Sequence, residues 1–173
     1  MRGAFLDRDG VINKVKFQKN VPMPPSRIDE IEILEGVSEA INLLTKKKFL
    51  PVVVTNQPDI ARGLYSLEHV DSINQNISKL TGIKHFYVCP HDNKQLCNCR
   101  KPMPGLITQA ALDLNLTLEG SIVVGDRWRD IEAGQNLELM CYFIDYSYDE
   151  KKPKQPYMRV SSLLEVAQEV SGM

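Results

Sequence analysis

Two carboxylates, Asp7 and Asp9, stand two residues apart at the end of an apolar run, Phe5-Leu6-Asp7-Arg8-Asp9-Gly10. Buried strands do not ordinarily finish on clustered anions, because like charges repel and lose their hydration. A cation between the carboxylates, or a proton held on one of them, makes such a cluster tolerable. Gly10 then lets the chain turn sharply away. Further along, Val52-Val53-Val54-Thr55-Asn56-Gln57 closes an apolar run with a hydroxyl and two amides. Thr55, Asn56 and Gln57 can hydrogen-bond a phosphate oxygen without adding charge. In Arg100-Lys101-Pro102, Lys101 could bring a point charge to a phosphoryl group and Arg100 a planar fork to phosphate or sugar oxygens. Asp126 and Asp130, four apart after Val123-Val124-Gly125, can lie together at a helix start and ligate or position a hard cation. Taken singly, each pattern has an ordinary alternative: an acidic turn, a Thr/Asn turn, a solvated basic pair, a capping aspartate.

A second cluster is local. Cys89-Pro90-His91 and Cys97-Asn98-Cys99 give a Cys-x-His and a Cys-x-Cys separated by five residues. Three thiolates and one imidazole suit tetrahedral zinc, and a full ligand set leaves no position for a catalytic water. The alternatives are free cysteines or a Cys97–Cys99 disulfide. Residues 89–99 carry no apolar core of their own, so an ion would be their main stabiliser. Cys141 lies in an apolar strand pattern and reads as a core cysteine.

These residues need a scaffold. Nearly continuous apolar runs at 3–7, 51–55, 86–89, 121–125 and 141–144 read as strands covered on both faces. Helical patterns fill 36–48, 67–80, 104–114, 128–136 and 162–170. Ser66 is placed to cap the second, and Pro104 is tolerated in the first turn of the third. Strands alternating with helices imply a parallel sheet with right-handed crossovers, and ligands of such sheets bind beyond the strands' carboxyl ends. Asp7 and Asp9, Thr55 and Asn56, and Gly125 and Asp126 all fall at that edge. Residues 14–35 read as a loop over one end of the sheet, with room for a β-hairpin. The 173 residues suggest one domain, 1–173, containing the zinc loop 89–99. A net charge of −1 gives no ground for binding nucleic acid or a membrane surface. No apolar stretch is long enough to span a bilayer and no signal pattern opens the chain, so a cytoplasmic location is expected. No apolar helix face is left over, which leans towards a monomer.

The whole constellation resembles the haloacid dehalogenase superfamily of phosphatases. Its four motifs match, in order, Asp7-Arg8-Asp9-Gly10, Thr55, Lys101, and Gly125-Asp126 with Asp130. Within it, Ile60-Ala61-Arg62-Gly63, Cys89-Pro90-His91 and Cys97-Asn98-Cys99-Arg100-Lys101-Pro102 are similar to the D-glycero-D-manno-heptose 1,7-bisphosphate phosphatases and their sister histidinol-phosphate phosphatases. The resemblance covers roughly residues 3–145. It implies a Rossmann-like three-layer α/β sandwich around a central parallel sheet, without a cap domain. It further implies that Asp7 is the nucleophile, forming an aspartyl-phosphate, and that Asp9 is the general acid and base. Mg²⁺ would be held by Asp7, the backbone carbonyl of Asp9, and Asp126, with Asp130 orienting a metal-bound water or Lys101. Thr55 and Lys101 would stabilise the transferring phosphoryl group, and Asn56, Gln57, Arg100 and Arg127 would bind substrate.

The implied substrate is a small phosphorylated sugar. The favoured reaction removes the 7-phosphate of a heptose 1,7-bisphosphate for lipopolysaccharide or another glycan; histidinol phosphate is the alternative. Three departures bear on that choice: an unfamiliar loop at 14–35, Pro58-Asp59 in place of a small Ser-Gly pair, and Arg127 where the heptose enzymes often carry Lys. Lys14, Lys16, Lys19 and Arg27 are candidates for holding a second phosphate, against the alternative of a solvated charged loop.

Overall fold

A computed structural model describes residues 1–18 and 21–170. Six parallel strands form one sheet in the order β5-β4-β1-β6-β7-β8. They are β1 (Arg2–Leu6), β4 (Phe49–Asn56), β5 (His85–Cys89), β6 (Thr117–Gly125), β7 (Met140–Ile144) and β8 (Met158–Val160). β2 (Lys16–Gln18) and β3 (Val21–Met23) pair antiparallel as a separate hairpin. The helices are α1 (Val37–Lys46), α2 (Leu67–Thr81), α3 (Gly105–Asp113), α4 (Trp128–Gln135) and α5 (Leu163–Glu169).

Alternation along the strands divides the interior in two. Ala4 and Leu6 face a core with residues of α1, α2 and α5, including Leu44, Ile77 and Val166. Phe5 faces a core with α3 and α4, including Ile107 and Ile131. Adjacent residues of β1 thus serve opposite layers, as a two-residue strand period requires. The result is the expected three-layer α/β sandwich. Ser66 caps α2 by accepting from the His69 N–H at 3.1 Å.

The structure adds a sixth strand, β8, to the five read from the sequence. Met-Arg-Val is too short for an apolar run, and only Val160 among its three residues is buried. Residues 14–35 contain the hairpin and one 3₁₀ turn at Ile28–Glu30. Their cations turn onto acids of the same loop: Lys14 pairs with Glu32, Lys16 with Glu30 at 2.6 Å, and Arg27 with Asp29 at 2.5 Å. The three are thus paired within their own loop; Lys19 lies outside the described residues.

Candidate active site and metal centre

Strands β1, β4 and β6 deliver their last residues to one edge. Two glycines make the approach possible. Gly10 has φ +90°, and a β-carbon there would stand 2.1 Å from Asp126 Oδ2. A β-carbon on Gly125 would meet the Asp130 β-carbon at 2.1 Å. The acid clusters therefore need bare backbone beside them.

At the floor, Lys101 is 3% exposed and its ammonium has three close acceptors. They are Asp7 Oδ1 at 2.7 Å, the Val54 carbonyl at 2.7 Å and Asp130 Oδ1 at 2.6 Å. Burial alone would lower its pKa, but the charges of Asp130 and Asp7 hold it above the ordinary lysine value. Burial pushes the Asp7 carboxyl up to about 7; Lys101 opposes this, and Asp130 and Asp9 add to it. Burial also raises Asp126, with Asp7 and Asp130 next in effect.

Asp9 is held by three side chains. Arg8 donates through Nε and through Nη2, the latter at 3.0 Å, and Asn13 and Gln57 each donate at 2.9 Å. Arg8 is fully buried between Asp9 and Asn74, whose Oδ1 accepts at 3.0 Å. The sequence reading gave Arg8 no role, because its partner Asn74 lies 66 residues away. Gln57 also donates to Thr55 Oγ1 at 2.9 Å, so its amide lies beneath the cleft and not in its wall. Asn56 reaches the wall, yet both ends of its amide are spent on the Lys101 backbone, each at 3.1 Å.

Above these groups opens a cleft of about 230 Å³. Asp7, Asp9, Thr55, Lys101, Asp126 and Asp130 line its depth, and the hairpin contributes Val21, Pro22 and Met23. Four arginines stand in its wall: Arg62, Arg100, Arg127 and Arg129. Arg127 is paired with Glu150 and Arg62 with Asp59. Among the described residues Arg100 donates only to neutral oxygens, of Asn93 and His91, at 3.0 and 3.1 Å. Burial lowers the Arg100 pKa, and the nearby charge of Arg129 adds to it. Arg129 escaped the sequence reading because nothing local distinguishes it from a solvated helix residue.

The second cluster closes as its spacing suggests. Cys89 Sγ lies 3.8 Å from Cys97 Sγ and 3.5 Å from His91 Nδ1, and Cys99 Sγ lies 3.3 Å from that nitrogen. A zinc tetrahedron with Zn–S of about 2.3 Å has sulfur–sulfur edges of about 3.8 Å. All four cysteines are free, which removes the disulfide alternative. Leu96 at the tip is fully exposed, so no apolar packing holds the loop's end.

Residues 98–165 match a family model described as HAD-hydrolase-like. The D-glycero-beta-D-manno-heptose-1,7-bisphosphate 7-phosphatase of Haemophilus ducreyi is 34% identical, covering 78% of this chain and 77% of its own. The D-glycero-alpha-D-manno-heptose-1,7-bisphosphate 7-phosphatase of Photorhabdus laumondii is 31% identical, covering 95% and 93%. The chain belongs to the heptose-1,7-bisphosphate 7-phosphatase family of HAD-like hydrolases. As a member it is a phosphoric monoester hydrolase. A crystal structure of D,D-heptose 1,7-bisphosphate phosphatase from B. bronchiseptica, complexed with magnesium and phosphate, superposes with a TM-score of 0.83 at 27% identity, covering 98% of both chains.

The donor atoms of this heptose bisphosphatase family member suit a magnesium ion. Asp7, Asp126 and Asp130 bring ligand oxygens within 4.8 Å of one another, all buried. Asp126 Oδ1 is buried without a hydrogen-bond partner, an expensive arrangement unless a cation uses it. Both Asp130 oxygens are engaged, Oδ1 by Lys101 and Oδ2 by the Arg127 N–H at 3.0 Å, whereas Asp7 and Asp126 each have one oxygen so engaged and are the better-placed acids. The Cys89, His91, Cys97 and Cys99 set fits zinc in the same way.

Proposed function

We propose that this protein hydrolyses the 7-phosphate of D-glycero-D-manno-heptose 1,7-bisphosphate through an aspartyl-phosphate on Asp7. The observation that carries this reading is the buried Asp7 carboxylate, 2.7 Å from Lys101 Nζ, at the floor of an arginine-walled cleft.

The chemistry follows from the placements. An Asp7 oxygen attacks phosphorus, and the bond from phosphorus to the sugar oxygen breaks. Asp9 gives a proton to that leaving oxygen, then takes one from the water that hydrolyses the acyl phosphate, which frees phosphate and restores Asp7. Lys101 and the Thr55 hydroxyl meet the charge on the equatorial oxygens. Arg8, Asn13 and Gln57 keep Asp9 in place. When bound by Asp7, Asp126 and the backbone carbonyl of Asp9, magnesium supplies the positive charge that lets two anions meet in a dry site. An Asp9→Asn variant is expected to lose about 10²–10⁴-fold in kcat with little change in KM, as initial-rate kinetics will show.

The phosphate that stays on the sugar would meet the arginines of the wall. Arg100 and Arg129 both line the cleft, and the charge of Arg129 works against that of Arg100, so a second anion held there relieves the repulsion. Histidinol phosphate brings a cationic ammonium to the same wall instead. Losing one charge-assisted contact of about 1.5–3 kcal/mol predicts a kcat/KM lower by about 10–100-fold for histidinol phosphate. Phosphate release from both substrates, with magnesium and with EDTA, tests this. Equal turnover of the two, or turnover unaffected by EDTA, overturns the reading. Residues 1–173 would work as one catalytic domain, as a monomer in the cytoplasm, serving glycan assembly. Two cores sharing one sheet support the single domain, and no described helix is long and apolar enough to cross a membrane.

A further inference from the structure

The segment that leaves β7 does more than lead to β8. It folds back across the carboxyl edge of the sheet and places two phenols there. The Tyr146 hydroxyl donates to the Gly10 carbonyl at 3.0 Å, and the Tyr148 hydroxyl donates to Asp126 Oδ2 at 2.9 Å. Their rings stack 5.6 Å apart at 28°. Phe17 of the hairpin packs against Tyr148 edge-on, at 6.0 Å and 60°. Asp145 pins the start of the segment by accepting from the Ser147 N–H at 2.8 Å and from Lys152 at 3.0 Å. Tyr148 is consequently buried, 8% exposed, on a stretch that would otherwise be an ordinary surface connection.

The two oxygens of Asp126 differ in a telling way. Oδ2 is taken by the phenol, while Oδ1 is buried and has no hydrogen-bond partner. A carboxylate tied at one oxygen cannot rotate freely, so the other oxygen keeps one direction. We propose that Tyr148 is a positioning residue for metal binding: its O–H fixes the rotation of the Asp126 carboxylate and leaves Oδ1 aimed at a divalent cation. The proposal rests on reading Asp126 as a metal ligand. Groups that hydrogen-bond a ligating side chain commonly contribute about 10–100-fold to metal affinity or activity. The Phe17 contact adds a second fixing point, since the hairpin that walls the cleft packs on the ring that steers the acid.

The test uses manganese as a spin-active probe. Free Mn²⁺ is followed by electron paramagnetic resonance during titration of the parent protein and of the Tyr148→Phe, Tyr146→Phe and Asp126→Asn variants. Tyr148→Phe keeps the ring and its stacking and loses only the O–H, so the metal-free melting midpoint should stay with the parent's. Its Mn²⁺ dissociation constant should rise about 10–100-fold. The magnesium concentration giving half-maximal rate should rise in step, while kcat at saturating magnesium falls much less. Tyr146→Phe should keep the parent's Mn²⁺ affinity. A Tyr148→Phe protein that binds Mn²⁺ as tightly as the parent overturns the proposal. So does equal weakening in both tyrosine variants, which would assign the effect to packing of the segment. Parent-like Mn²⁺ affinity in Asp126→Asn would instead remove the ligand reading beneath it.

Discussion

Asp7→Asn is expected to abolish phosphate release, with a loss on the order of 10⁴–10⁶-fold, the scale seen when a covalent nucleophile is removed. An amide of the same shape cannot form the acyl phosphate, and it also removes a negative donor from the metal site. The fold should survive the change. Lys101 retains the Asp130 carboxylate at 2.6 Å and the Val54 carbonyl at 2.7 Å, so its buried charge is not stranded. Burial and the neighbouring Asp130 and Asp9 already disfavour a charge at position 7, even with Lys101 opposing them, so a neutral side chain relieves some repulsion there. Thermal melting in the absence of divalent ions should place the variant at or above the parent. Initial rates with magnesium decide the catalytic point. A well-folded Asp7→Asn protein that releases phosphate at the parent's rate would remove the nucleophile assignment and the covalent mechanism with it.

Stripping zinc should produce the largest structural effect. Structural zinc in isolated fingers is worth about 10–16 kcal/mol, comparable to the whole folding free energy of a domain, about 5–15 kcal/mol. Here the loss should spare the core under α1, α2 and α5, which contains none of the ligands, and should reach the other core, where Cys89 is a buried member and Cys97 and Cys99 pack against it. The damage also reaches the catalytic floor. Arg100 is held by Asn93 and the His91 carbonyl, both inside the knuckle, and Lys101 follows it directly. Treatment with a strong chelator, followed by return of magnesium alone, should leave the protein largely inactive. Amide exchange should accelerate across residues 89–101, and zinc should restore both activity and protection. Metal analysis should find about one zinc per chain. A zinc-free protein that keeps its melting midpoint and its kcat/KM with magnesium would show that the knuckle needs no ion.

How much could be read in advance depended on how locally each feature is encoded. Strands β1, β4, β6 and β7 were legible because burial on both faces writes a continuous apolar run, and β5, an edge strand of mostly half-buried residues, because it is still aromatic and β-branched. β8 was not, since three edge residues with an arginine at their centre carry no such mark. The zinc set was legible because its four ligands lie within one short segment, so spacing alone implied closure. The acids, Thr55 and Lys101 were recognisable because each ends a strand or precedes a helix. Residue type and position did not reveal partners. Gln57 and Asn56 had the chemistry to touch phosphate, but the fold spends them on Asp9, Thr55 and the Lys101 backbone. The cations at 14, 16 and 27 had the charge for a second phosphate, yet acids of their own loop are nearer. Tyr148 left no trace because its partner, Asp126, lies 22 residues away.

The strand order also bears on how the molecule is made. β1 is made before the other strands of the sheet, yet it sits inside it, between β4 and β6. Its second neighbour starts at residue 117, so Asp7 waits for most of the chain before its N–H can reach the Val124 carbonyl at 3.0 Å. Long-range pairings of this kind slow folding and leave apolar edges uncovered during synthesis. The knuckle has no such delay, since its ligands emerge almost together and can close on an ion while the central strand is still unpaired. Nascent chains should therefore acquire their zinc early, and catalytic competence among the last events of maturation.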